Sequence, residues 1–435
     1  MFLQRENELK ILEDNYNKPN SSIEFIFGAK STGKTTLLNE YSKDKEKLYF
    51  SNYEMIPSQF FTQMANTISI KFHGTNTVGK PFNTFLEVLK FLNNQKIEKK
   101  AIIIFDDFQN VLKVDKDALN ELLKYWKSDL KTKNIQLIVS SSILYGELKD
   151  KEIESIANSN IKLKYLSFLA IKEFFPKVNK LDHLYIYSLL GTSPTNLKYY
   201  NPNTEFTENI YNLFLSSNSY LFDYGIQILK SEIGDIGTYS SILYAIAKGN
   251  SKVGDIANFL DVKSTYLSRY LQKLIDMMII EKIVPINDDK KNSKFGRYII
   301  SDNTLKFWFL YIYPNLSDLQ QNEVKEVSLL IQDEFIRKTV FSSYKKCIKD
   351  YINIKQESIL GYNPVAIGSW WDNHNNTIDL IAYDRKNITF IQILWEDKDM
   401  AKIAYGKLKT ASEKFKTSLE KKYVIVTKNT FFNIK

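Results

Sequence analysis

The stretch from Ile23 to Tyr41 constrains this chain more than any other. Ile23-Glu24-Phe25-Ile26-Phe27 is a strand-like run that passes directly into Gly28-Ala29-Lys30-Ser31-Thr32-Gly33-Lys34-Thr35. Thr36-Leu37-Leu38-Asn39-Glu40-Tyr41 then continues as a helix. A strand, a G-x-x-x-x-G-K-T loop and a helix in that order build an anion cradle, because successive backbone N–H groups and the positive helix end converge on one point. The glycines let the main chain approach an anion with no Cβ in the way. The expected ligand is a nucleoside triphosphate, wrapped by residues 28–36. Lys34 is placed against the β and γ phosphates, where it both binds and assists reaction, and the Thr35 hydroxyl is placed on Mg²⁺.

A second motif belongs with the first. Ala101-Ile102-Ile103-Ile104-Phe105-Asp106-Asp107 is an apolar run ending in two carboxylates, the form of a buried parallel strand that delivers acids at its C-terminal end. Asp106 is expected to hold the Mg²⁺, and Asp107 to stand where a general base orients the attacking water. A third strand, Ile135–Val139, ends in Ser140-Ser141-Ser142. Ser141 is the candidate for reaching the γ-phosphate; a helix cap and turn account for the three serines equally well. Further strands are expected over Lys47–Ser51 and Ile161–Tyr165, with helices between them. Strand and helix alternation of this kind predicts an α/β fold with a parallel sheet.

At 435 residues the chain is too long for one core and implies several domains. No apolar run approaches the roughly 18 residues that span a bilayer. The opening Met1-Phe2-Leu3-Gln4-Arg5-Glu6 lacks a signal-peptide layout, so the expected compartment is the cytoplasm, without membrane partners. One cysteine, Cys347, and three scattered histidines exclude a disulfide framework and give no metal motif. Residues 1–236 carry 29 basic and 28 acidic side chains, whereas residues 237–435 carry 30 and 22. Any polyanion partner is therefore expected at the C-terminal half.

The opening Phe2-Leu3-Gln4-Arg5-Glu6-Asn7-Glu8-Leu9, the phosphate loop, Asp106-Asp107-Phe108 and the serine-ended strand together resemble archaeal-type AAA+/STAND-like P-loop ATPases. Leu166–Phe175 and Leu190-Gly191-Thr192-Ser193-Pro194 resemble the helical lid of that family. The resemblance implies ATP rather than GTP, with Arg5 near the base and Pro194 in the nucleotide-sensing lid. It also implies a C-terminal winged helix and a restriction-endonuclease-like α/β domain. The implied boundaries are an ATPase core over 1–165, a lid over 166–236, a winged helix over 237–304, an aromatic connector over 305–327 and a nuclease-like domain over 328–435.

Two departures bear on rate. The family's second acid is normally Glu, and Asp107 is one methylene shorter, withdrawing the carboxylate by roughly 1.5 Å. No arginine lies between residues 6 and 268, so this stretch offers no arginine finger, a contact worth about 10³–10⁵ in rate in GTPases. Both favour a slowly hydrolysing switch over a fast ring motor.

Residues 238–300 read as helix, helix, turn, helix and wing. Ile242, Leu243, Ala245, Ile246, Ile256, Ala257, Phe259, Leu267, Leu271, Leu274 and Ile275 are expected inside. Lys263, Thr265, Tyr266, Ser268, Arg269 and Lys273 on the third helix are the candidate DNA contacts, with Lys290, Lys291 and Lys294 on the wing; packing against a protein surface is an equal alternative. The aromatic run Phe307–Tyr313 is expected to pack between domains. In the tail, Asp379 matches the acid of the nuclease-like D…E-x-K pattern, but Gln392 stands in place of Glu and Leu394 in place of Lys. Ser342 stands where a further acid is usual. A lone carboxylate binds Mg²⁺ poorly, so no cleavage is expected from the tail. The expected function is an ATP-dependent switch presenting its C-terminal half to DNA or to a protein. The alternatives are an interaction protein stabilised by ATP and, last, an ATP-dependent nuclease.

Overall fold

The computed structural model describes residues 2–51, 55–143, 147–231, 233–290, 293–395 and 399–433. Lys291 and Asn292 of the expected wing lie outside the described residues. The chain divides into two units, one of residues 1–164 with 276–278 and one of residues 165–275 with 279–435.

In the first unit the apolar runs become β1 (Ser22–Gly28), β2 (Lys47–Phe50), β3 (Ala101–Phe105), β4 (Ile135–Ser141) and β5 (Ser159–Leu163). They form one sheet of order β2-β3-β4-β1-β5. All four pairings are parallel. Both faces are covered, which is why these strands read as continuous apolar runs and not as alternating ones. Phe25, Phe27, Ile103, Phe105, Leu137 and Val139 point into one core. Ile26, Ile102, Ile104 and Ile138 point into the other, against Leu37, Leu38 and Tyr41 of the helix Lys34–Tyr41. That alternation fixes which strand-end residues can meet the phosphate loop.

The second unit contains the expected helices, at Gly237–Ala247, Val253–Leu260 and Ser264–Asp276, the last but for its final residue. They are followed by the antiparallel pair β6 (Ile280–Ile283) and β7 (Arg297–Ile300). The inward residues are placed as the spacing predicts, with two exceptions. Phe259 is 44% exposed, its ring edge-on to Tyr244 with centroids 5.8 Å apart, and Ile275 is only half-buried.

The aromatic run is a core within this unit. Trp308, Phe309, Tyr311 and Ile312 are fully buried, and the Trp308 indole N–H donates to Phe222 O at 2.7 Å. Gly225 faces that indole so closely that a Cβ would lie 2.2 Å from the ring.

The tail sheet has the order β11-β10-β9-β8, built from β8 (Ala366–Trp371), β9 (Thr377–Tyr383), β10 (Asn387–Ile393) and β11 (Glu420–Val426). β10 and β11 run parallel, and the other pairings are antiparallel. No helix among the described residues is long and apolar enough to cross a membrane.

Candidate nucleotide site

The turn after β1 is closed by its own side chains. Thr32 Oγ1 donates to Ala29 O at 2.8 Å, and a Cβ on Gly28 would sit 2.6 Å from that hydroxyl. Ser31 and Gly33 take left-handed φ values of 66° and 92°, which turn the chain through the loop. Gly33 has open space where a Cβ would point. Lys34 is buried, and its Nζ lies 2.8 Å from Gly28 O and 3.3 Å from Ala29 O, so the ammonium is held over the loop. Lys30, Thr35 and Thr36 are exposed along it.

Arg5 braces this loop from outside. Its buried guanidinium donates to Thr32 O at 3.1 Å and to Lys164 O at 2.6 Å, and pairs with Glu8 at 3.2 Å. Burial pulls its pKa down, with Glu8 pulling the other way. The side chain thus holds loop backbone. Pro194 belongs to the second unit, where it opens the short helix Pro194–Leu197 capped by the Ser193 hydroxyl.

Beside the loop, Asp106 is 6% exposed and its carboxylate is fully engaged. Oδ2 accepts from the Thr35 hydroxyl at 2.7 Å and from the Tyr49 phenol at 2.7 Å. Oδ1 accepts from the Ser140 hydroxyl and from the Asp107 amide at 3.1 Å. Burial, followed by the charge of Asp106, raises the Tyr49 pKa well above the ordinary phenol value, so it stays a proton donor. Asp107 has a left-handed φ of 52°, and its Oδ1 accepts from Gln109 Nε2 at 3.1 Å.

The serine that meets Asp106 is Ser140, and Ser141, expected at the γ-phosphate, lies on the other face of the strand. Its hydroxyl donates to Ile143 O and accepts from Ile143 N, both at 3.1 Å, forming a turn. The reason is strand parity: Ser140 follows Ile138 onto the face that carries the loop helix, and Ser141 follows Val139 onto the other. Tyr49, Ser140 and Gln109 were not singled out in the sequence; the register of β2 and β3 pairs Tyr49 with Ile104, on the loop-helix face.

On the third helix of the second unit, Lys263, Thr265, Tyr266, Ser268 and Arg269 are exposed and Lys273 is half-buried. Arg269 folds back on two tyrosines, donating to Tyr270 Oη at 2.7 Å with its Cζ 4.7 Å from that ring and 5.7 Å from Tyr266. The hairpin is docked on the tail sheet: Ile286 N donates to Ser369 O at 2.9 Å, Trp371 Nε1 to Phe295 O at 3.0 Å, and Arg297 stacks 4.4 Å over Trp371. A cleft of about 320 Å³ at this junction is lined by Lys252, Lys282, Lys294 and Asp372, among others. In the tail sheet, Asp379 accepts from Lys345 Nζ at 2.5 Å, Gln392 Nε2 at 2.5 Å and Ile393 N at 2.9 Å. Ser342 accepts instead from Lys306 at 2.7 Å. No cluster of three or more His, Cys, Asp or Glu side chains able to hold a metal occurs among the described residues.

A parallel sheet with the loop between its first strand and helix, and an acid-tipped strand one place removed from that strand across β4, is the P-loop NTPase fold. Residues 2–200 match the family model of an ATPase domain predominantly from Archaea. Residues 308–405 match a second model, described as archaeal and bacterial proteins of unknown function. An uncharacterized protein of Methanocaldococcus jannaschii is 29% identical over 442 residues, covering 98% of this chain and 96% of its own. An uncharacterized ATP-binding protein of the same organism is 22% identical over 249 residues, covering 46% and 69%. Among solved structures, a Walker-type ATPase of Pyrococcus abyssi superposes with a TM-score of 0.52 at 17% identity, covering 71% of this chain and 96% of its own. That likeness is one of fold.

Proposed function

We propose that this protein is a cytoplasmic, slowly hydrolysing ATP switch whose nucleotide state controls how its C-terminal half meets DNA. The observation that carries the reading is the 2.7 Å pairing of Thr35 with Asp106 beside a glycine-lined loop crossed by a buried lysine ammonium. The donor set fits Mg²⁺-ATP. Hydroxyl and carboxylate oxygens suit a hard cation, and the open side of Gly33 leaves room for phosphate oxygens. Bound there, Mg²⁺ supplies neutralisation of phosphate charge. Lys34 draws the β and γ phosphates into line, the loop amides hold their oxygens, and Asp107 orients water, held by Gln109. Arg5 keeps the loop shaped through Thr32 O, and Pro194 belongs to the lid.

For the C-terminal half, the winged-helix reading rests on the three helices and the docked hairpin, and the exposed cations of the third helix supply DNA contacts. Against DNA and for a protein partner stand Phe259, Val262 and Tyr266, 44%, 37% and 43% exposed near or on the same helix. The tail is read as a nuclease-like fold without cleavage, because the ammonium of Lys345 sits on Asp379.

The test is ATP turnover by the full chain with and without duplex and single-stranded DNA, using Lys34→Ala and Asp106→Ala as controls. Slow basal turnover that both controls abolish, with stimulation by DNA, is the expected result. Replacing Lys263, Arg269 and Lys273 by Ala should then flatten the salt dependence of DNA affinity by about 2 to 3 in log–log slope. Turnover indifferent to DNA, with an unaltered slope, assigns the half to protein docking. No turnover and no ATP uptake would end the switch reading.

A further inference from the structure

We propose that Tyr49 is a gate on the magnesium seat, holding Asp106 Oδ2 until a metal-bound water displaces its phenol. The inference rests on the reading that Asp106 receives the Mg²⁺ of the nucleotide. A carboxylate offers about four acceptor positions, two on each oxygen. In this protein four donors fill them: Thr35 and Tyr49 on Oδ2, Ser140 and the Asp107 amide on Oδ1. A metal-bound water that rests on Asp106 needs one of those positions, so one donor has to leave.

The four are not equal. Thr35 need not leave, since a hydroxyl can ligate through an oxygen lone pair while its proton stays on Asp106. The Asp107 amide is fixed by the backbone, and Ser140 engages the oxygen remote from Thr35. Tyr49 alone shares Oδ2 with Thr35, from a half-buried position on β2, the last strand at its side of the sheet. A neutral phenol on a carboxylate competes with water donors of similar strength, so its removal should ease metal entry without altering the loop. Tyr49 thus acts as a positioning residue that raises the magnesium level at which the site closes on ATP.

The experiment measures binding of a fluorescent ATP analogue to the full chain during a Mg²⁺ titration, with EDTA as the metal-free baseline. Wild type is compared with Tyr49→Phe, Ser140→Ala and Asp106→Asn. The ring of Tyr49→Phe keeps its packing, so the variant removes only the donor. The expected result is a fall of about five- to tenfold in the half-saturating Mg²⁺ for Tyr49→Phe, with EDTA affinity unchanged and Ser140→Ala not lowered. A half-saturation in Tyr49→Phe equal to or above wild type overturns the gate while leaving the magnesium reading intact. Equal lowering by Tyr49→Phe and Ser140→Ala overturns it too, because any loosening of Asp106 would then suffice. Wild-type binding indifferent to Mg²⁺, or Asp106→Asn matching wild type, sinks both readings.

Discussion

Asp107 leaves β3 through a left-handed backbone, with φ of 52°, a geometry that Asp tolerates better than most side chains. Its amide is tied to Asp106 and to the Ser140 hydroxyl at 3.1 Å, and its carboxylate is held by Gln109. Only the reach of the side chain remains to be adjusted. If Asp107 orients the water, Asp107→Glu extends the carboxylate by roughly 1.5 Å and should raise steady-state ATP turnover. Asp107→Asn should lower it by about 100-fold with ATP affinity retained. A rate in Asp107→Glu unchanged or below wild type would remove Asp107 from this role. The meeting of Lys34, Thr35 and Asp106 at the loop was legible because the motif spacing puts them at one end of the sheet. Tyr49 and Ser140 were not, since a tyrosine within a strand and a serine at its end are ordinary residues until the pairing of strands brings them to one carboxylate. Their face was recoverable from period-two alternation, whereas the contact was not.

Among the elements, β1 carries a cost that its pattern conceals. Glu24 is fully buried within the strand, and neither carboxylate oxygen has a hydrogen-bond partner among the described residues. Ser22 and Gln136 stand near enough to ease the charge, but the Gln136 amide is spent on Leu12 O and its carbonyl on Tyr41. Burial pushes the Glu24 pKa up to about 7 from an ordinary 4.5. The unfolded chain therefore releases this proton between pH 4.5 and 7 while the folded chain keeps it. Stability falls as pH rises through that window, by about 3 kcal/mol, and is flat above it. Glu24→Gln should abolish this loss, melting higher than wild type at pH 8 but not at pH 4.5. Parallel pH profiles for the two proteins would show that Glu24 does not titrate in this way. The strands themselves were legible because both faces of the parallel sheet are buried, and so the apolar runs are unbroken. Phe259 was misplaced for the opposite reason: helical spacing gives the inner stripe of Val253–Leu260 but not its edge, and that ring lies out beside Tyr244.

Across the whole molecule, the similarity to the 29% identical Methanocaldococcus jannaschii protein runs over 98% of this chain, and so spans both the phosphate-loop part and the tail. The charge excess lies in the C-terminal half, and the tail sheet brings Asp379 and Gln392 side by side on β9 and β10. What the D…E-x-K comparison could not supply is Lys345, which comes from the helix Phe341–Ile354, far from the strand where the pattern seeks a lysine. Its ammonium lies 2.5 Å from Asp379, whose side chain is only 13% exposed. A cation position already filled by the protein's own charge has no use for a divalent ion, since binding one would bring like charges together. Incubation of the full chain with supercoiled DNA and Mg²⁺ or Mn²⁺ should therefore produce no nicks. Lys345→Met should lower stability by about 1 kcal/mol, by leaving a half-screened carboxylate with two donors in place of three. If Asp379 were instead a metal ligand, millimolar Mn²⁺ would restore the melting temperature of Lys345→Met. Such rescue would make Asp379 a metal ligand, and nicking that Asp379→Ala removes would make the tail an active nuclease.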